Sequence, residues 1–164
     1  MPLVAIVLGS DSDLPHFDDA FAMLGRFRVA YQTRILSAHR CPDEAGDFAR
    51  SAAQAGIKVI IAAAGGAAHL AGSIAARTTL PVIGVPVPAP PLQGIDSLLA
   101  TVQMPAGIPV ATVAIGKAGA TNAALLAIEI LALADAQLAD ALQAYREELR
   151  TRTLGKDQLV QNQH

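Results

Sequence analysis

Residues 37–40 read Ser-Ala-His-Arg, placing a titratable imidazole beside a permanent cation in a chain whose charged residues amount to only 16%. An imidazole titrates near neutrality and can both give and take a proton within one cycle, whereas a guanidinium offers a planar donor fork suited to phosphate. A lone histidine is more commonly a satisfied structural group, so the pair gains meaning only from what lies near it. Three other short clusters carry comparable chemistry: Gly9-Ser10-Asp11-Ser12-Asp13, Gly65-Gly66-Ala67-Ala68-His69 and Gly116-Lys117-Ala118-Gly119.

In the first cluster, Ser10 and Ser12 would offer hydroxyls and backbone N–H groups to an oxyanion at a helix start, where the helix dipole favours phosphate. Asp13 is ill suited to phosphate itself, but a carboxylate fits a sugar diol or an exocyclic amine beside it. Taken in isolation this corner favours the plainer reading, in which Ser12 or Asp13 caps a helix beginning near Leu14. At the Gly65–His69 cluster, two glycines with Ala64, Ala67 and Ala68 would let a loop wrap closely over a flat ring. Tight helix-to-strand packing explains the small residues equally well, but not His69. Cys41 falls where a helix N-cap belongs and has no orienting partner of the kind a nucleophile needs, so a structural role is expected.

These clusters follow short apolar runs of strand length: residues 3–9, 29–36, 57–64, 81–86 and 109–116. Between the first two runs, Phe17, Phe21 and Leu24 recur at helical spacing. Pro42 opens a second helix whose face would carry Phe48, Ala52 and Ala55. Later helices are expected in "AAHLAGSIAART", "GIDSLLATVQM" and "AGATNAALLAIEILALA". Five largely apolar strands alternating with helices predict an α/β fold: a doubly wound, three-layer α/β/α sandwich on a parallel sheet, flavodoxin-like. An extra C-terminal helix would carry Leu138, Leu142, Tyr145 and Leu149 on one stripe, with a neighbouring subunit as one outlet for it. The expected organisation is a single catalytic domain over residues 1–152 and a loose polar tail over 153–164. In such sheets ligands bind beyond the carboxyl ends of the strands, so the clusters should converge on one rim.

Composition narrows the partners. Apolar residues reach 52% and net charge is −2, so a monomer would struggle to cover itself with polar surface and a homo-oligomer is expected. The twelve basic residues are scattered, which argues against nucleic acid. The alanine-rich stretch from Ala118 to Ala134 is too short to favour a membrane span. One cysteine and no basic leader point to a cytoplasmic protein. His16, His39, His69 and His164 lack metal-ligand spacing. "GKAGAT" is no P-loop, and neither G-x-G-x-x-G nor G-x-S-x-G occurs. A phosphoryl-accepting receiver domain would match Asp11, Asp13 and Lys117, yet it needs an aspartate at the end of the third strand, where this chain has "AAAGG".

The segments "GSDSD", "SAHR", "AGGAAHLAG", "PVIGVP" and "GIDSLLATVQMPAGIPVATVAIGKAGATNAALLA" together resemble the N5-carboxyaminoimidazole ribonucleotide mutase family, the class I PurE proteins of purine biosynthesis. The likeness runs from Val4 to about Leu133. It implies a cofactor-free, metal-free isomerase, usually an octamer, that converts N5-carboxyaminoimidazole ribonucleotide into 4-carboxy-5-aminoimidazole ribonucleotide. By motif position it implies that Ser10, Ser12 and Asp13 meet the phosphate and ribose, with Ser37 at the same rim. Arg40 would grip the phosphate, and His39 would carry the proton. Gly65, Gly66 and His69 would enclose the ring and carboxylate.

Three departures stand out: Ala71 where the family usually has proline, Cys41 where it has threonine or serine, and a loop "PAPPLQG" richer in proline. Ala71 leaves the loop less preset, and Cys41 should cap more weakly. The rival expectations are a class II carboxylase that uses carbon dioxide directly and a non-catalytic nucleotide-binding module on the same fold.

Overall fold

A computed structural model describes residues 1–162. Its five strands are β1 (Val4–Leu8), β2 (Tyr31–Ile35), β3 (Val59–Gly65), β4 (Val82–Val87) and β5 (Ala111–Thr112). They form one parallel sheet in the order β2-β1-β3-β4-β5. That is the flavodoxin-like order, with its switch point between β1 and β3. The helices are α1 (Asp18–Arg26), α2 (Pro42–Ser51), α3 (Leu70–Ala75), α4 (Ile95–Val102), α5 (Gly116–Ala132) and α6 (Ala136–Gln161), with a 3-10 turn at Asp11–His16. The expected fold class is therefore found.

Successive side chains on a strand point to opposite faces; in β1, β3 and β4 both faces are largely buried, whereas edge strand β2 is exposed or half-buried along its length. Ala5, Val7, Ile60, Ala62 and Val82 pack in one cluster with Ala45 and Ala49 of α2 and Ile74 of α3. On the other face Val4, Ile6, Leu8, Ile61, Ala63 and Ile83 are almost fully enclosed. Burial of each larger aliphatic side chain stabilises the fold by about 1.5–3 kcal/mol. The chain's turn from β5 into α5 requires Gly119, because a Cβ there would overlap the Ala114 carbonyl oxygen.

Several boundaries differ from expectation. Edge strand β5 covers only two residues of the run 109–116. The buried face of α2 is Ala45, Gly46 and Ala49, with Ala52 just past its end, while Ala55 is exposed. The reason is that α2 stops at Ser51, which ends the helical spacing that would have carried Ala55 inward.

The chain divides into two compact units, residues 1–128 and residues from Glu129 onward. In the second, Asp135 caps α6 by accepting from the Leu138 N–H at 3.1 Å, and Arg146 pairs with Glu129 at 2.8 Å. Leu138, Leu142, Tyr145 and Leu149 are half-buried along one stripe, and α6 has no fully buried residue. The loose tail expected from residue 153 is helical through Gln161. Thr153 Oγ1 donates to the Leu149 carbonyl and Gln161 Nε2 to Asp157, local contacts that extend a stretch of good helix formers. His164 lies outside the described residues.

Candidate active site

The carboxyl ends of β1, β2 and β3 open into one cavity of about 480 Å³. Its lining includes Ser10, Ser12 and Asp13 from the first corner, Ser37, His39 and Arg40 from the second, and Gly65 and His69 from the third. These residues lie up to 59 positions apart in the chain, and the parallel sheet brings them to one rim as the strand-end rule requires. Gly66 does not line the cavity; it takes a left-handed backbone with φ +60° and turns the chain out of β3. The fifth corner, Gly116-Lys117, does not line it either.

At the first corner, Ser10 rather than Ser12 or Asp13 is the N-cap, and the turn it caps begins at Asp11 rather than near Leu14. Ser10 Oγ accepts from the Ser12 N–H, and the Ser10 N–H donates to Asp13 Oδ2 at 3.2 Å, the reciprocal pattern of a capping box. The sequence contains several competing acceptors within five residues, and local spacing alone did not separate them. Asp13 is 7% exposed. Loss of water pushes its carboxyl above the ordinary value, against opposing help from the Ser10 N–H, the His16 charge and the Ser12 hydrogen bond; Asp11 adds to the rise.

At the second corner, Ser37 Oγ accepts the backbone N–H groups of His39 at 3.3 Å and Arg40 at 3.2 Å, which fixes the turn presenting both side chains. Cys41 is the N-cap of α2 and makes no side-chain cap bond; its Sγ instead accepts the Ser37 N–H at 3.0 Å. Arg40 Nη2 donates to the Gly9 carbonyl at 3.1 Å and so bridges the first two corners. The second and third corners meet through His39 Nε2 and His69 Nδ1, 2.7 Å apart, with their rings inclined at 81°.

Sequence reasoning missed the contribution of the loop after β4, whose Ala89 also lines the cavity. The strand-end rule was the available signal, but "VPVPAPPLQG" carries no reactive side chain to draw attention to it. The remaining wall is largely small and apolar, with Ala38, Ala64, Ala67 and Leu70. A site of this size accommodates a small organic ligand. One end offers serine hydroxyls and a guanidinium for an oxyanion; the other offers two imidazoles beside alanine. Among the described residues no group of three or more His, Cys, Asp or Glu side chains could hold a metal ion, and no helix is long and apolar enough to cross a membrane.

Comparison with known proteins gives a consistent set. The family described as AIR carboxylase matches residues 3–152. The chain is 54% identical over 160 residues to the N5-carboxyaminoimidazole ribonucleotide mutase of Bacillus subtilis (strain 168), covering 97% of this chain and 99% of that one. It is 53% identical over 150 residues to the mutase of the same description from Pyrococcus abyssi, covering 92% and 85%. The crystal structure of Treponema denticola PurE superposes with a TM-score of 0.85 at 31% identity, covering 96% of this chain and 97% of that chain.

Proposed function

The chain belongs to the AIR carboxylase family, and from that premise we propose that it is an isomerase of purine biosynthesis converting N5-carboxyaminoimidazole ribonucleotide into 4-carboxy-5-aminoimidazole ribonucleotide. The observation that carries the reading is the single cavity in which Ser10, Asp13, Arg40, His39 and His69 converge, in a chain more than half identical to curated mutases.

In this reading the phosphate lies against Ser10, Ser12, Ser37 and Arg40. The ribose hydroxyls meet Asp13, and the aminoimidazole ring lies toward Gly65 and His69, with the adjacent Gly66 shaping the loop. His39, as imidazolium, protonates the exocyclic nitrogen as its bond to the carboxyl carbon breaks, releasing carbon dioxide and the neutral amine. Carbon C4 attacks the retained carbon dioxide, forming the new carbon–carbon bond. Neutral His39 then takes the C4 proton, which restores the aromatic ring and the imidazolium. No net proton is consumed. Holding carbon dioxide beside C4 gives a large proximity advantage, and the alanine walls keep competing water away. The residues need no metal or organic cofactor for these steps. We place this activity within residues 1–152, in a cytoplasmic homo-oligomer, with eight copies as the expected assembly.

The test compares two substrates. The carbamate ribonucleotide supplied without bicarbonate should turn over rapidly, and the aminoimidazole ribonucleotide with bicarbonate should be slow. Efficient turnover only in the second assay would reassign the chain to direct carboxylation. His39→Asn should lose at least about a hundredfold in kcat while still binding ribonucleotide. Wild-type protein that binds ribonucleotide but turns over neither substrate would reduce it to a binding module.

A further inference from the structure

The contact between His39 Nε2 and His69 Nδ1 is a hydrogen bond between two groups that each can donate or accept, and at 2.7 Å it holds one shared proton. Resting on the reaction proposed above, we infer that His69 is a positioning residue that accepts from His39 Nε2–H throughout the cycle, so that Nδ1 of His39 is the nitrogen that exchanges protons with substrate.

Counting protons separates the two possible directions of this bond. Were His69 the donor, His39 Nε2 would be the acceptor, and neutral His39 would carry its only hydrogen on Nδ1. Giving up that hydrogen would create an imidazolate, which is inaccessible near neutral pH. Making the imidazolium would require breaking the bond to His69, because both nitrogens then carry hydrogen. With His39 as donor, neither obstacle arises. The imidazolium has hydrogen on both nitrogens and still donates from Nε2. After proton delivery from Nδ1 the neutral ring keeps its Nε2–H, still donates to His69, and presents an Nδ1 lone pair ready for the C4 proton.

The surroundings agree with this assignment. His39 Nδ1 has no hydrogen-bond partner among the described residues, so it is available to a ligand. The backbone N–H of His39 is anchored on Ser37 Oγ, which fixes the base of the side chain while His69 fixes its far nitrogen. His69 must then stay neutral, with its own hydrogen on Nε2, and the pair holds one positive charge at most. His69 is the N-cap of α3 and its side chain accepts no hydrogen bond from that helix, so capping does not account for its presence.

A neutron structure of the deuterium-exchanged resting enzyme tests the assignment, because it locates the shared deuteron directly. The expected result is a deuteron on His39 Nε2 and none on His69 Nδ1. A deuteron on His69 Nδ1, or two rings with no shared deuteron, would overturn it. The kinetic counterpart uses two variants. In His69→Asn the amide oxygen can replace Nδ1 as acceptor, so its loss of kcat should be several-fold smaller than that of His69→Ala. In His69→Ala kcat should fall roughly 10- to 100-fold through loss of orientation. A rise in KM with kcat unchanged in both variants would assign His69 to binding alone and remove the positioning role. The deuteron is read without turnover, so a wrong reaction and a wrong proton assignment show separately.

Discussion

Arg40 donates through Nη2 to the carbonyl of Gly9 at 3.1 Å, joining a residue after β2 to the one that follows β1, 31 positions earlier. The bond holds the guanidinium fork beside Ser10 before any ligand arrives, so its remaining donors reach an oxyanion without first being ordered. Arg40→Lys keeps the charge and loses both the fork and the reach to Gly9. A charge-assisted hydrogen bond is worth about 1.5–3 kcal/mol, which predicts a KM for the ribonucleotide raised roughly 10- to 100-fold with a smaller change in kcat. Steady-state kinetics decide this; an unchanged KM would place the phosphate elsewhere.

Asp13 supplies a pH dependence whose sign follows from its burial. Its carboxyl binds a proton more tightly in the folded protein than its ordinary value of 3.8 implies, with loss of water the principal cause. The folded state therefore holds more proton than the unfolded state between the ordinary and the raised value, and stability falls as pH rises through that window. Above it, the ionised carboxylate is a standing cost. Asp13→Asn can keep an acceptor for the Ser10 N–H but cannot ionise. Unfolding free energies across mildly acidic pH should show the downward slope in wild type minus variant; a flat difference curve would contradict the burial argument.

How much of this was legible in the sequence depended on whether the deciding contacts were local. β1, β3 and β4 are enclosed on both faces, so their unbroken apolar runs announced them, whereas β5 borders the sheet and only Ala111 and Thr112 of its apolar run pair with β4. The convergence of Ser10, His39 and His69 followed from counting strands and applying the strand-end rule. The capping role of Ser10 was obscured by neighbouring acceptors of equal quality. The direct contact of His39 with His69 depends on two side-chain conformations 30 residues apart, which no periodicity encodes.

Gly119 tests the tight turn that carries the chain from β5 into α5. A methyl group there would collide with backbone, the Ala114 carbonyl, and not with a side chain that could rotate aside. Overpacking of this kind costs about 1–3 kcal/mol or more. Gly119→Ala should therefore lower the denaturant midpoint by a matching amount, while Gly155→Ala, which meets nothing within 4 Å, should leave it unchanged or raise it slightly. Equal midpoints for the two variants would mean that the entry into α5 is not so tight.

Cys41 separates a structural thiol from a reactive one. Its sulfur accepts the Ser37 N–H at 3.0 Å at the base of the turn that presents His39 and Arg40, and it makes no cap bond to α2. In Cys41→Ser the hydroxyl oxygen can accept the same N–H, or cap the helix instead, and serine is a better cap than a thiol. Turnover should remain within about threefold of wild type and stability should hold or rise by up to about 1 kcal/mol. Cys41→Ala removes the acceptor and leaves the Ser37 N–H unpaired, so stability should fall by about 1–3 kcal/mol. Loss of all turnover in the serine variant, with the fold intact by circular dichroism, would make the thiol a participant in the chemistry and overturn its structural assignment.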